Sequence, residues 1–316
     1  MKVVVTGAAG FIGGETLLKL VDAGHDVLAI DQEMPPGQLI PVPCQWHTGD
    51  FSGEIGLDSI KRFCPDAIIH CAGTSLVGPS LSNPQEYYDN NFVKTKILLD
   101  YLVKNHDKQV RFIFSSSAAT YGNPIMTPVQ EVDPTEPISP YGQSKLMIDW
   151  MLKSYQRAYG LDFVSFRYFN ACGADSQSRH GQAPGATHII ARVLESIKSG
   201  TNFTLYGTDY PTDDGTCVRD YIHVEDLAEA HILATNKSIP SDIYNLGTST
   251  GHSNLEVIRM AATITKIPVT HKNGPHREGD PSILTADAGK FMAVSGWKPK
   301  FDLKDIITHA WSWYNR

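Results

Sequence analysis

The chain has 316 residues, 41% of them hydrophobic and 19% charged, which is long enough and apolar enough for one large or two moderate domains around a substantial core. Its formal net charge of -7, without clustered cations, speaks against a nucleic-acid or membrane surface, since both need a basic face. Five scattered cysteines, Cys44, Cys64, Cys71, Cys172 and Cys217, show neither zinc spacing nor an even disulfide framework, so reduced thiols in a cytoplasmic protein and no metal site are expected.

Lys2 followed by an apolar run mimics a signal peptide, but Gly7, Gly10, Gly13, Gly14 and Glu15 break up any apolar segment, and no stretch is long enough to span a membrane. Residues 2–6 are a short β-branched strand and residues 15–23 read as a helix, with Gly7, Gly10, Phe11, Ile12 and Gly13 in the turn between. Glycines there let backbone amides approach a pyrophosphate at the positive end of the helix; the plain alternative is a glycine turn without ligand. The next strand, Val27–Ile30, ends at Asp31, about twenty residues after the glycines, where a carboxylate suits ribose hydroxyls and repels a 2′-phosphate. This favours NAD over NADP.

Gly49-Asp50-Phe51 reads equally as a turn or as a ligand contact. Ala67–His70 is a buried strand running into Cys71-Ala72-Gly73, Tyr87–Asn91 opens a helix, and Arg111–Phe114 is a strand ending in Ser115-Ser116-Ser117. Strand ends of such a sheet are where ligands bind, although a serine there also suits a turn cap. Ser139 is a good N-cap, Pro140 a good first helical residue and Gly160 a good terminator, so a helix is expected over about 140–159. Met147, Trp150, Met151, Ser154 and Tyr155 share one of its faces, which suits either the core or a subunit contact. Tyr141 and Lys145 are four residues apart on this helix, so the ammonium lies beside the phenol and should draw its pKa of about 10 towards neutrality, where it exchanges a proton with a substrate hydroxyl. By itself the pair is weak, because roughly one Tyr-x-x-x-Lys arises by chance in a chain with 13 tyrosines.

The glycine spacing, Ser117 standing 24 residues before Tyr141, and the stretches His70–Ser80, Phe166–Asp175, Tyr206–Asp226 and Arg277–Asp287 together carry a resemblance. From Met1 to about Trp297 the chain resembles the UDP-glucose 4-epimerase family, within the extended short-chain dehydrogenases/reductases. That resemblance implies Ser117, Tyr141 and Lys145 as catalytic residues. It places Asp50 and Phe51 near adenine, and Ala72, Asn91 and Tyr168 beside the cofactor, Tyr168 at the nicotinamide. It gives Asn170, His188, Arg219, Arg277 and Asp280 to the UDP moiety and Leu284 to the hexose pocket. An arginine fork suits a diphosphate on physical grounds too, although Arg219 has an acidic neighbour, Asp220, with which it can pair.

Two departures stand out: residues 32–49 are short for the family and lack its Asn-Leu after the ribose aspartate, and Leu284 is neither the large tyrosine nor the small residue usual there. The implied reaction is inversion at C4 of a UDP-hexose with tightly bound NAD, in a homodimer. Ala118-Ala119 after Ser117 lack the Asp-Glu pair of related 4,6-dehydratases, Asp31 disfavours an NADPH reductase, and a non-catalytic dinucleotide sensor would not need Ser117, Tyr141 and Lys145. The expected fold is α/β, a mostly parallel, doubly wound Rossmann-type sheet over residues 1–165, with 221–235 packing back, and a smaller substrate lobe over 166–220 and 236–316.

Overall fold

The apolar runs of the N-terminal half become neighbouring strands of one sheet. A computed structural model describes residues 1–33, 43–105, 109–276 and 280–316. Strands β1 (Lys2–Thr6), β2 (Asp26–Asp31), β3 (Gln45–Thr48), β4 (Ala67–His70), β5 (Arg111–Ser117) and β6 (Phe163–Tyr168) alternate with helices α1 (Phe11–Asp22), α2 (Glu54–Phe63), α3 (Val77–Ser82), α4 (Pro84–Tyr87), α5 (Lys94–Asn105) and α6 (Pro140–Tyr159). Then follow β7 (Asn170–Cys172), α7 (Ile189–Ser199), β8 (Phe203–Tyr206), β9 (Val218–His223), α8 (Val224–Ala234), β10 (Asp242–Leu246), β11 (Gly251–Ser253), α9 (Asn254–Thr265), β12 (His271–Gly274), β13 (Ile283–Leu284), α10 (Gly289–Ser295) and α11 (Leu303–Tyr314).

Seven parallel strands run in the order β10-β6-β5-β4-β1-β2-β3. The winding reverses between β1 and β4, so a crevice opens beyond their carboxyl ends, the usual place for a ligand in a doubly wound sheet. Central strands are buried on both faces, which is why Val3–Val5, Ile68–Ile69 and Phe112–Phe114 read as unbroken apolar runs. One face packs against Leu17 and Leu20 of α1, Leu227 of α8 and Phe291 of α10; the other packs against Ile60 of α2, Leu98 of α5 and Ile148 of α6. Beyond the sheet, a set of short strands around β9 and a core of Val193, Val257 and Ile306 form the C-terminal substructure.

The expected boundaries are redrawn at one element. β10 lies in the stretch assigned to the C-terminal lobe, yet it is the edge strand of the large sheet, in register with β6 from Asp242↔Val164 to Leu246↔Tyr168. Its burial explains this: Ile243, Tyr244 and Leu246 are buried and need a sheet neighbour on one side and helix cover on both faces. α1 starts at Phe11, earlier than its apolar pattern suggests, because the last glycines of the turn are already helical. A Cβ on Gly13 would stand 2.1 Å from the Gly7 carbonyl oxygen. α6 has the expected ends: Ser139 Oγ accepts a hydrogen bond from Gly142 N (3.2 Å), Pro140 opens it, and Gly160 closes it at φ 70. The inward face of α6 carries Ser144, Lys145, Ile148, Asp149 and Leu152, whereas Trp150 is 58% exposed. Residues Tyr88–Val93 form a π-helical turn between α4 and α5 in place of a simple helix start.

Behind the glycine turn, Glu15 of α1 is fully buried and neither of its carboxyl oxygens has a hydrogen-bond partner among the described residues. Lys19 Nζ stands 3.7 Å away but bonds to Glu225 at 2.7 Å. Burial, and then the Asp175 charge, push the Glu15 carboxyl up to about 8. The unfolded chain releases this proton near its ordinary value of 4.5, so between that pH and about 8 the folded state holds more protons and stability falls as pH rises. Glu15→Gln removes the titration. Thermal unfolding from pH 5 to pH 8.5 should show the variant gaining on the wild type as pH increases; a constant difference would assign Glu15 its ordinary pKa.

Candidate active site

The site grows from two close approaches of backbone. Gly7, at φ +71, lies so near the end of β4 that a Cβ would meet Ala72 N at 2.6 Å. α1 then opens at Gly10 without any side-chain cap, which leaves the amides of its first turn to an anion. Asp31, at the end of β2, accepts a hydrogen bond from Ala9 N at 2.9 Å, so the expected ribose carboxylate is fastened to the glycine turn. This uncapped helix end, the glycine cradle and the carboxylate together fit a dinucleotide.

Asp50 does the work of a turn residue. Its Oδ1 accepts from Ser52 N (2.9 Å) and Ser52 Oγ (2.8 Å), and its Oδ2 pairs with Lys94 Nζ at 2.9 Å. Burial opposes its charge, but the Lys94 and Ser52 hydrogen bonds hold its carboxyl below the usual range. Phe51 is buried edge-on against His70, with ring centroids 4.9 Å apart.

Across the crevice, Ser117 ends β5 and its Oγ accepts from Ala119 N at 3.1 Å. Lys145 of α6 is buried, donates from Nζ to the Ser115 carbonyl at 2.7 Å, and lies 5.9 Å from the Tyr141 ring centroid. Burial lowers the Lys145 ammonium to about 8, against the opposing pull of the Cys71 and Asp149 charges. The expected lowering of the Tyr141 phenol is not found. Burial pushes it up, the Ser117 hydroxyl partly offsets this, and Lys145 aims its proton at a carbonyl and its charge at the ring rather than at the phenol oxygen. Next to Lys145, Gly73 leaves open the space a side chain would fill: a Cβ there would stand 2.7 Å from Asn91 Oδ1 and 3.8 Å from Lys145 Nζ. Asn91 is buried and satisfied, accepting from Thr74 N (2.7 Å) and donating to Thr74 O (3.1 Å) and Ser144 Oγ (3.0 Å).

From this corner a cleft of about 1000 Å³ runs along the C-terminal substructure, with Ser139, Asn170, His188, Tyr206, Arg219 and Asp280 in its wall. Arg219 does not pair with Asp220. It bonds to Asp280 Oδ1 at 2.6 Å, while Asp220 is buried under Thr248, Ser249 and Ala286 donors. Asn170 Nδ2 donates to the Asp220 carbonyl at 3.1 Å. Leu284 packs with Ala118, Tyr121 and Phe169, of which Ala118 directly follows Ser117. Arg277 lies outside the described residues.

Sequence reasoning passed over three residues here. Ser115 serves through its carbonyl, which leaves no side-chain signal. His180 Nε2 donates to the Phe11 carbonyl at 2.8 Å and fills the space over Gly14, from a loop with no periodic pattern. His231, on α8, contacts the Tyr168 hydroxyl, a pairing that only the fold creates.

With this geometry in view, the comparisons with known proteins are informative. The family model described as "NAD dependent epimerase/dehydratase family" matches residues 3–247. A UDP-glucose 4-epimerase from Halalkalibacterium halodurans is 42% identical over 99% of this chain and 96% of its own length. Among solved structures, UDP-glucose-4-epimerase from Stenotrophomonas maltophila with bound NAD and formylated UDP-arabinopyranose superposes with a TM-score of 0.94 at 32% identity, covering 100% of this chain and 98% of that one. UDP-glucose 4-epimerase from Bifidobacterium longum in complex with NAD+ and UDP gives a TM-score of 0.91 at 34% identity, again covering 100% and 98%.

Proposed function

We infer the reaction from one premise: the chain belongs to the NAD dependent epimerase/dehydratase family. It is an epimerase that inverts C4 of a UDP-hexose through a transient 4-keto sugar, with tightly bound NAD. The observation that carries this reading is the convergence of Ser117, Tyr141 and Lys145 on the crevice end of the uncapped α1 cradle, beside a cleft with an arginine in its wall. When bound, NAD supplies the reversible redox partner for C4. Gly7, Gly10, Phe11, Ile12 and Gly13 give its pyrophosphate backbone amides, Asp31 holds the adenosine ribose, and Asp50, Phe51, Ala72, Asn91 and Tyr168 shape the rest of its bed.

Tyr141 exchanges the proton of the 4-hydroxyl, Ser117 orients that oxygen and partly offsets the rise that burial imposes on the phenol, and Lys145 holds the nicotinamide ribose. Arg219, with Asn170, His188, Asp280 and Arg277, anchors the UDP moiety, so the sugar is tethered at a remote point while its reacting carbon stays free to turn. Ala118 and Ala119 put no acid beside Ser117, which leaves the keto sugar nothing to eliminate against. The first 165 residues, with α8, serve the cofactor and the remainder serves the nucleotide sugar. With five unpaired thiols and, among the described residues, no helix long and apolar enough to cross a membrane, we place the enzyme in the cytoplasm.

Purified protein should carry NAD without any being added, measured by acid release and nucleotide chromatography. Tyr141→Phe should lower kcat by roughly 10²–10⁴-fold with UDP-sugar affinity nearly intact, since only the proton-carrying oxygen is lost. Substantial turnover by that variant would remove Tyr141 as the base.

Leu284 is read as the residue that meets the C2 substituent. UDP-glucose and UDP-galactose should interconvert, and the N-acetylated pair less efficiently, because leucine's methyls crowd an acetamido group by ~1–3 kcal/mol. kcat/KM for both pairs should shift in opposite directions in Leu284→Tyr and Leu284→Ser; unchanged ratios would take Leu284 out of the pocket.

We also propose a homodimer through the α5–α6 face, where Val93, Ile97 and Trp150 stand 43%, 41% and 58% exposed. Trp150→Asp should shift the sedimenting species from dimer to monomer, and a wild type that sediments as a monomer refutes the interface.

A further inference from the structure

Behind the crevice runs a buried hydrogen-bond chain whose far end, His231, has no part in the reaction as described above. Its members are Ser115 of β5, Tyr168 of β6 and His231 of α8, with 6%, 7% and 0% of their surfaces exposed. His231 Nδ1 lies 2.7 Å from the Leu227 carbonyl oxygen. A carbonyl only accepts, so Nδ1 carries the hydrogen, and in the neutral ring Nε2 is then an acceptor. Burial lowers the imidazole to about 4, which keeps it neutral at working pH. The partner of Nε2 is the Tyr168 hydroxyl, so that hydroxyl must donate to His231. Its oxygen then has only lone pairs left for Ser115 Oγ, 2.8 Å away, so the single Ser115 hydrogen goes to Tyr168 and the contact with Cys71 Sγ is left to the thiol hydrogen. The chain has one direction: Ser115 to Tyr168 to His231 to the backbone of α8.

Ser115 is also where Lys145 is anchored, through its carbonyl, and its hydroxyl lies 3.1 Å from Cys71 Sγ at the end of β4. Three elements around the crevice are thus keyed to one another, and the last fixed point is a fully buried histidine on α8. We propose that His231 is a positioning residue for the epimerisation: by accepting the Tyr168 hydrogen it fixes the ring of Tyr168 and the orientation of its hydroxyl, and so sets the wall against which the nicotinamide lies. This rests on the reading that Tyr168 borders the nicotinamide. Removing the acceptor frees the phenol to turn and lets the reacting carbons drift, which lowers the chemical step without touching the UDP anchor.

The test uses the holoenzyme and four variants: His231→Phe, which removes the acceptor; His231→Gln, whose amide oxygen reaches towards the position of Nε2; Tyr168→Phe; and the double variant with phenylalanine at both positions. His231→Phe should lower kcat roughly tenfold with KM for the UDP-sugar unchanged. His231→Gln should recover most of that loss. The double variant should be no slower than Tyr168→Phe, because His231 acts only through the hydroxyl that Tyr168→Phe has already removed. The absorbance band of the cofactor, chemically reduced in place, should shift equally in His231→Phe and Tyr168→Phe. Losses that add in the double variant, or a His231→Phe enzyme with wild-type kcat while Tyr168→Phe is slow, overturn the inference and leave Tyr168 in its place. Wild-type kcat and an unshifted band in Tyr168→Phe overturn the reading of Tyr168 itself. Should His231→Phe fail to fold, a slow Tyr168→Phe beside a near-wild-type His231→Gln supports the chain, and a His231→Gln as slow as Tyr168→Phe counts against it.

Discussion

One buried ammonium governs the geometry of the corner where β5 meets α6. Lys145 is 5% exposed, and a cation so far from water must be given a partner where it stands. That partner is the Ser115 carbonyl, with the Phe114 ring 4.8 Å below. To make this bond α6 has to cross β5 at one register. Tyr141 then falls one helical turn before the lysine, and Ser117, two residues on from Ser115, shares its face of the strand. The opposite wall needs a glycine at position 73, because a Cβ there would stand 2.7 Å from Asn91 Oδ1.

The neighbouring cleft shows the same logic at lower cost. Arg219 and Asp220 are adjacent in β9, and adjacent strand residues face opposite ways, so their proximity in sequence makes no ion pair. Asp220 turns inward and is satisfied by amides and a hydroxyl; Arg219 turns to the cleft and keeps Asp280 as its companion until a more highly charged guest competes for it.

How much of this could be read in the sequence depended on the range of the forces involved. Local chemistry was legible: the Ser139 cap, Pro140, the Gly160 terminator, the β-branched strands and the glycine turn each need only a few neighbours in the chain. The family resemblance pointed to the right reaction class. Long-range burial was not legible. The Tyr141 phenol is raised because the fold removes it from water, an effect that a Tyr-x-x-x-Lys spacing cannot report. Trp150 looks like core by its apolarity and like surface only once α6 is rotated onto the sheet. Asp50 was open between two readings, and its two oxygens were committed by Ser52 and by Lys94, a residue 44 positions away. His231 gave no signal at all, since its partner is 63 residues away.

The placement of β10 bears on how the chain acquires its structure. Residues 242–246 complete a sheet whose neighbouring strand, β6, leaves the ribosome some 75 residues earlier. A parallel pairing of that separation is slow to form, because the intervening loop must be closed before any of its hydrogen bonds is gained. Until it forms, β6 presents a bare edge of Val164, Phe166 and Tyr168, the kind of surface on which another nascent chain can add a strand. The elements made in the interval, α7 through α8, therefore emerge beside an unfinished sheet. The glycine turn and Asp31, by contrast, rest on β1, β2 and β4, which are all in hand before that hazard begins.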